Sequence, residues 1–427
     1  MQKVVSISKS LVIVALAVLA VYMSARLWFV EFTNHSFMPY VQARFAPTVP
    51  DDASELVRPF RVIAGAGDGY FGVLYGATAG AAFWEYGQRV ITDLLRNGHF
   101  VQTHDANVQQ ILSYPVIVYE YAFFMDIEVF TQAFGRRASS LLAERGVDSF
   151  HAVAVKPPYG QRNTVNVFFI GDNSIAEFAL LPNDREFSVY IPSASNLRRY
   201  FIQDGNGLSF AMQLHRNFTY NPILPVNPYV NRAGFLHLSF IREQIEHFFD
   251  NPATINQGLS VDDVYTFSNL RTVVRYQPWD VVEYSSFRTI GRTSPTSFIS
   301  DFSAAFDFVR RDPNVNNEFF LSGYELRGRE TVFWFGYVIN NFPLVLSEPW
   351  YTGPGCTVPL IHPIEVVVDH GRVISYRKIA YNFIVDTTIT ARPALAFLSE
   401  RALTFHIQPA NTHDHLRLQP VREGGSE

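Results

Sequence analysis

The sequence predicts an α+β protein: an N-terminal transmembrane helix, then a multi-domain ectodomain of antiparallel sheets with packed helices, its last two units faintly duplicated. Three observations predict this class. The first thirty residues hold one long apolar run. Short β-branched and aromatic stretches then recur between hairpin signals, and 38 Phe and 21 Tyr stand among the 427 residues. Two helical patterns, at 239–252 and 297–313, are each followed by a series of such strands.

The opening run sets the topology. Ser10 to Ala25 carries no charge, and the apolar character resumes after Arg26 and continues to Val30. That length, about 21 residues at about 1.5 Å each, matches a hydrocarbon core of about 30 Å. A cleaved signal peptide needs small residues before its cut, whereas Met23-Ser24-Ala25 places a bulky residue there, so the run reads as an uncleaved anchor. Trp28 and Phe29 suit the interface, where Lys9 and Arg26 can snorkel outward. Lys3 and Lys9 precede the span, while Arg26 and Glu31 nearly cancel behind it. The positive-inside rule therefore expects a cytoplasmic N-terminus and an extracytoplasmic bulk. Ala20 and Ser24 form a small-xxx-small pair, a candidate packing face for another transmembrane helix.

The expected organisation is a cytoplasmic N-terminus over 1–9, the anchor over 10–30, and a proline-rich linker over 31–55. An N-terminal ectodomain follows over 56–192, then a central α+β domain over 193–290, a C-terminal α+β domain over 291–405, and a flexible tail over 406–427. Within RVIAGAGDGYFGVLYG, Gly67, Gly69 and Gly72 satisfy the G-x-G-x-x-G pattern of dinucleotide sites. That pattern needs a helix to start at its third glycine. Here Asp68-Gly69 is a hairpin dipeptide between β-capable runs 61–66 and 70–75, and the helical pattern starts only near Ala79 and stops at Gly98. A second helix is expected over 105–113, a strand over 115–123, and a third helix over 126–134 with Asp126 as N-cap. Strands follow near 151–155, 164–170, 174–181 and 186–191. NPILPVNPYVN, at 221–231, reads as a separator. Ile241, Ile245, Phe248 and Phe249 share one helical face, Pro313 ends the later helix, and Asp369-His370-Gly371 turns the last hairpin. A final helix is expected over 391–403.

Composition excludes several classes of function. Net charge is −5 and the basic residues form no stripe interleaved with aromatics, so nucleic acid is not an expected partner. The single cysteine, Cys356, rules out an intrachain disulfide and a multi-cysteine metal site. Nucleophile-elbow, zincin, P-loop and EF-hand motifs are all missing. His413 and His415 sit in a polar tail, and the acidic pairs Asp51-Asp52, Asp262-Asp263 and Asp126 with Glu128 read as solvated loops and caps. No cofactor, metal or catalytic residue is assigned.

Several stretches carry a family resemblance. They are VLYGATAGAAFWEYGQRVITDLL, IVYEYAFFMDIEVFTQAF, FFDNP with VYTFSNLRTVVRY, and FWFGYVINNFPLV with its apolar-Asn-x-x-Pro-apolar pattern. In this order behind a short basic start and a single anchor, they resemble the YycH family, membrane-anchored accessory proteins of the WalK and WalR two-component system. IEVVVDHGRVISYRKIAYNF and ALAFLSERAL resemble the terminal unit shared with the sister protein YycI. The resemblance spans most of residues 1–405, and the tail after Phe405 lies outside it. It implies a single-pass regulatory protein rather than an enzyme, one that contacts a sensor histidine kinase and a YycI-like sister. It also implies a link to cell-wall homeostasis, with no small-molecule substrate. The residues alone leave room for an anchored extracytoplasmic solute- or glycan-binding module.

Overall fold

The computed structural model describes residues 57–67, 70–105, 108–134, 147–156, 164–172, 174–181, 199–202, 212–214, 223–230, 235–260, 263–277, 280–287, 297–339, 342–346, 360–385, 405–407 and 418–420, with positions 142 and 158. Among these residues no helix is long and apolar enough to cross a membrane. The anchor predicted over 10–30, the strand predicted over 186–191 and the helix predicted over 391–403 lie outside the described residues.

The chain opens with the expected hairpin. β1 (Arg61–Ala66) and β2 (Tyr70–Tyr75) pair antiparallel, with Gly65 opposite Phe71, and Gly67 enters the turn at φ +84°. Positive φ is open to glycine at no steric cost. The next helix, α1 (Gly76–Asn97), starts at Gly76 rather than near Ala79, and four residues after Gly72. It begins straight off the strand because Gly76 takes φ +77° while its N–H donates to the Phe60 carbonyl at 3.2 Å. No dinucleotide cradle forms, since a whole strand separates the glycines from the helix.

The helix expected over 105–113 forms, but shorter than expected. β3 (His99–Asp105) takes its first part and only α2 (Val108–Leu112) is helical. The cross-strand partner decides this, because β3 pairs with β7 (Ser174–Leu180) and closes one edge of the sheet. β4 (Pro115–Asp126), β5 (Ser149–Lys156) and β6 (Val165–Ile170) complete its centre. Asp126 caps α3 (Ile127–Phe134) as predicted, its Oδ1 accepting the Glu128 N–H at 2.7 Å. With β8 (Arg199–Ile202) and β9 (Met212–Leu214), the described order is β3-β7-β6-β5-β4-β1-β2-β8-β9.

Both faces of this sheet are covered, which explains why its central strands are continuously apolar instead of alternating. Val116 to Tyr119 and Ala152 to Val155 are all fully buried. On one face α1 packs Trp84, Ile91 and Leu94 against Ile117, Tyr119 and Phe178; on the other α2 meets Ile63, Val118 and Ile170. α1 is seated at Gly87, where an added Cβ would stand 2.4 Å from the Tyr119 ring, and the Tyr119 hydroxyl donates to the Phe83 carbonyl at 2.8 Å. Gly87→Ala sets a helix-propensity gain of about 1 kcal/mol against an overpacking cost of about 1–3 kcal/mol. Net destabilisation is the expected outcome, read as a lower urea midpoint; a raised midpoint would show that α1 can slide off Tyr119.

β10 (Ile223–Val226) lies inside the segment read as a separator and pairs with β20 (Asn382–Val385), 159 positions away by number of its first residue. Pro225 fits because a two-stranded ribbon leaves one side of each strand free of ladder bonds. α4 (Leu238–Ile245) continues as a 3₁₀ turn over Glu246–Phe248 and buries Ile241, Ile245, Phe248 and Phe249 as its periodicity requires. β11 (Asn256–Leu259), β12 (Tyr265–Ser268), β13 (Thr272–Gln277) and β14 (Val281–Ser286) then form a meander.

The order repeats. α5 (Phe298–Arg311) is capped by the Ser297 hydroxyl, and β15 (Glu318–Arg327), β16 (Glu330–Ile339), β17 (Phe342–Leu346), β18 (Ile364–Asp369) and β19 (Arg372–Ile379) follow. The β18–β19 turn is held by His370 at φ +51° and Gly371 at φ +72°, the two positive values a type I′ hairpin requires. β21 (Phe405–Ile407) and β22 (Leu418–Pro420) extend the sheet beyond β17. The two helix-then-strand units do not close separate sheets; β14 pairs antiparallel with β19, and one sheet runs through both.

β15 bridges the two large sheets. Phe320 lies 4.9 Å from Phe60, Tyr324 meets Phe123 edge-on at 5.4 Å, and the Glu318 carboxylate sits where a Cβ on Gly76 would stand. That carboxylate therefore stands at the start of α1, which has no acidic residue in its own first turn.

Candidate functional site

The residues singled out from the sequence for membrane contact, Lys9, Ala20, Ser24, Arg26, Trp28 and Phe29, lie outside the described residues, as do Cys356, His413 and His415. Among the described residues no group of three or more His, Cys, Asp or Glu side chains is placed to hold a metal ion. The nine-stranded sheet holds the Arg61–Glu120 pair and the Glu177 carboxylate, which Gln102, His104 and Asn166 bond; two hubs and a charged row stand on the larger sheet.

On its helix-covered face, Asp312 follows the last residue of α5 and is fully buried. Its Oδ2 accepts Lys378 Nζ at 2.8 Å and the Tyr376 hydroxyl at 2.9 Å, and its Oδ1 accepts the Asn314 N–H at 2.9 Å. Burial alone would raise this carboxyl; Lys378 and then His247 outweigh it and hold Asp312 below its ordinary value. A second hub is Asp280, whose Oδ1 accepts Asn227 Nδ2 at 2.8 Å and the Tyr276 hydroxyl, and whose Oδ2 accepts the Tyr381 hydroxyl. Burial and then Asp280 push both phenols well up. The carboxylate oxygens of both hubs all accept donors, and Asn314 Nδ2 donates to the Gln244 carbonyl of α4 at 2.9 Å, so the hubs fasten α4, α5 and the 223–230 segment to the sheet.

The opposite face is different. Val274, Tyr276, Tyr284 and Tyr376 point toward the helices and are buried, so their strand neighbours point away. The registers set these neighbours on one transverse row: Arg275, Glu283, Arg377, Glu365 and Trp334, from β13, β14, β19, β18 and β16. Charges alternate along it. Arg377 donates Nε and Nη2 to Glu365 Oε1 at 3.0 and 2.7 Å, and Trp334 Nε1 donates to Glu365 Oε2 at 3.1 Å. Gln277 Nε2 donates to Glu283 Oε2 at 2.8 Å. His362 stacks on Trp334 with centroids 5.3 Å apart, and burial lowers its pKa against the pull of Glu365. The adjacent row reads Val273, Ser285, Ser375 and Val367, all half-buried.

This face carries the short side chains Ser285 and Ser375 beside the charged row, in which Arg275 is exposed while the Arg377 and Glu365 side chains are only 13% exposed. Its chemistry suits recognition of another protein surface by charge complementarity. Sequence reasoning missed it, although a signal was present: TVVRYQ, VVEYSS, IEVVVD and SYRKI each place charged residues among alternating apolar ones. Which residues stand side by side was not legible, because register links strands up to about a hundred residues apart.

No family model matches the chain, and no curated protein matches it. Among solved structures, the chain is similar to the crystal structure of YycH from Bacillus subtilis, with 10% sequence identity and a TM-score of 0.48, covering 84% of this chain and 92% of that one.

Proposed function

We propose that this chain is a membrane-anchored extracytoplasmic regulator that modulates a WalK-like sensor histidine kinase by protein–protein contacts, together with a YycI-like sister protein, in cell-wall homeostasis. The observation that carries the reading is the apolar run from Ser10 to Val30 behind Lys3 and Lys9, standing ahead of the segments that resemble the YycH family. A single anchor helix biases a two-state kinase by binding one state more tightly than the other, and close approach at Ala20 and Ser24 supplies that difference. No turnover is required, and no cofactor, small-molecule substrate or nucleic acid enters the scheme.

The test is photo-crosslinking of the full-length chain in membranes from positions within residues 11–30. Capture of a histidine kinase or of a sister anchor is expected; capture of neither overturns the transmembrane mechanism. Ala20→Phe should reduce the captured fraction several-fold, since a bulky ring separates helices that small residues let touch. An unchanged yield would remove Ala20 and Ser24 from the contact.

A further inference from the structure

We infer that the outer edge of β11 docks an extended strand of a partner protein, one that carries apolar side chains at alternate positions. β11 stands first in the order of the larger sheet; among the described residues it pairs with β12 on one side and with no strand on the other. The phase of its backbone bonds fixes what faces outward. The Ser260 N–H donates to the Val264 carbonyl at 3.0 Å, on the same register that sets Gly258 opposite Thr266 and Asn256 opposite Ser268. Bonded and non-bonded pairs alternate along an antiparallel ladder. Gly258 and Asn256 therefore bond β12, while Gln257 and Leu259 turn their N–H and C=O groups away from it. These donors and acceptors recur every second residue, about 7 Å along the strand, the spacing that another extended backbone satisfies.

The edge is open and unguarded. All four residues of β11 are exposed, and a Cβ added to Gly258 would meet nothing within 4 Å. Natural edges are blunted by charge, proline, a bulge or a covering element. β3, at the end of the other large sheet, shifts register between Phe100 and Gln102; β15 shifts between Leu321 and Gly323 and packs Phe320 and Tyr324 on Phe60 and Phe123. Asn256-Gln257-Gly258-Leu259 has no charge, no proline and no shift against β12. Parity sets the pattern of the partner. Gln257 and Leu259 lie opposite Phe267 and Tyr265, on the side where Phe267 is buried in the helix-covered core. Leu259 is 55% exposed, so an added strand covers it by placing apolar residues opposite Gln257 and Leu259 and polar ones opposite Gly258. With no charge in β11, backbone bonds and Leu259 select the partner, and four residues limit the contact to a weak, reversible one that salt does not disrupt. This inference stands apart from the kinase reading, which rests on the anchor.

Fluorescence anisotropy of a labelled peptide, DVYTFSN, against the full chain in detergent tests it. This peptide copies residues 263–269 and so carries the Tyr-Thr-Phe alternation that pairs with β11 in the fold. Saturable binding that salt leaves unchanged is expected, with slower hydrogen exchange at the Gln257 and Leu259 amides. N-methylation of alternate peptide amides should abolish binding on one edge of the peptide and leave it intact on the other. Gln257→Pro removes an outward donor without breaking the β12 ladder and should raise the dissociation constant at least about tenfold. Should Gln257→Pro fail to fold by circular dichroism, Leu259→Lys repeats the test by placing a charge on the edge. Absence of binding, binding that ignores both these variants and methylation of either edge, or Gln257 and Leu259 amides already protected in the free chain overturns the inference. Self-association of the chain that Gln257→Pro abolishes would put a second copy on the edge and overturn the assignment to a partner protein.

Discussion

Asp312→Asn is expected to lower the unfolding free energy by about 3–5 kcal/mol, the range for breaking a buried ion pair by removing one partner. Asp312 and Lys378 are buried to 0% and 1% side-chain exposure, so solvent does not screen the pair. Removal of the carboxylate leaves the ammonium with the Asn314 carbonyl as its named acceptor, at 3.1 Å, and deprives Tyr376 of a charged acceptor. The orphaned ammonium dominates the loss. Lys378→Met added to Asp312→Asn should therefore recover part of it, a double-mutant cycle that a merely additive packing defect would not reproduce. Urea denaturation of the purified chain reads both; a single-variant loss below about 1 kcal/mol would show that the pair behaves like an exposed one.

The same site makes stability depend on acid. The Asp312 carboxyl titrates below its ordinary value of 3.8 in the folded protein. A group with a depressed folded pKa stabilises fully above its unfolded value, and the contribution disappears as pH falls through the folded one. The urea midpoint of the wild type should thus fall as pH drops below about 4. Asp312→Asn should flatten that decline, because its folded and unfolded states no longer differ in proton uptake at this position.

Phe302→Ala is expected to cost about 3–5 kcal/mol, the range for truncating a buried aromatic. Phe302 is 2% exposed on α5 and touches rings from its own helix and from β16: Phe306 at 5.8 Å, Phe333 at 5.6 Å and Phe335 at 6.2 Å. The backbone of β16 is held in its ladder by β15 and β18 and cannot collapse into the space. Phe302→Leu should lose clearly less, since it keeps most of the buried apolar surface. Equal losses for the two variants would mean that ring geometry, not cavity formation, sets the cost.

Local chemistry was legible in the sequence wherever the deciding interactions were local. The 61–75 hairpin, the Asp126 cap, the apolar face of the 239–252 helix and the turn at Asp369-His370-Gly371 depend on residues within a few positions of one another, and all were foreseen. The start of the helix expected over 105–113 and the strand inside the proline-rich stretch 221–231 were not legible, for the complementary reason. Their strands exist because β7 and β20 lie alongside them, far along the chain.

The sequence by itself determined the α+β class, the alternation that turns one side of each late strand toward the helices, and the isolated charges on the other side. Only the tertiary structure decided that the two helix-then-strand units share one sheet and that Asp312 finds Lys378 in its core. It also decided that Arg275, Glu283, Arg377 and Glu365 form one alternating row. The physical reason is that side-chain direction in a strand is set by parity within the strand, whereas its neighbour is set by register between strands. A slip of one residue would have sent each of these charges to the buried face.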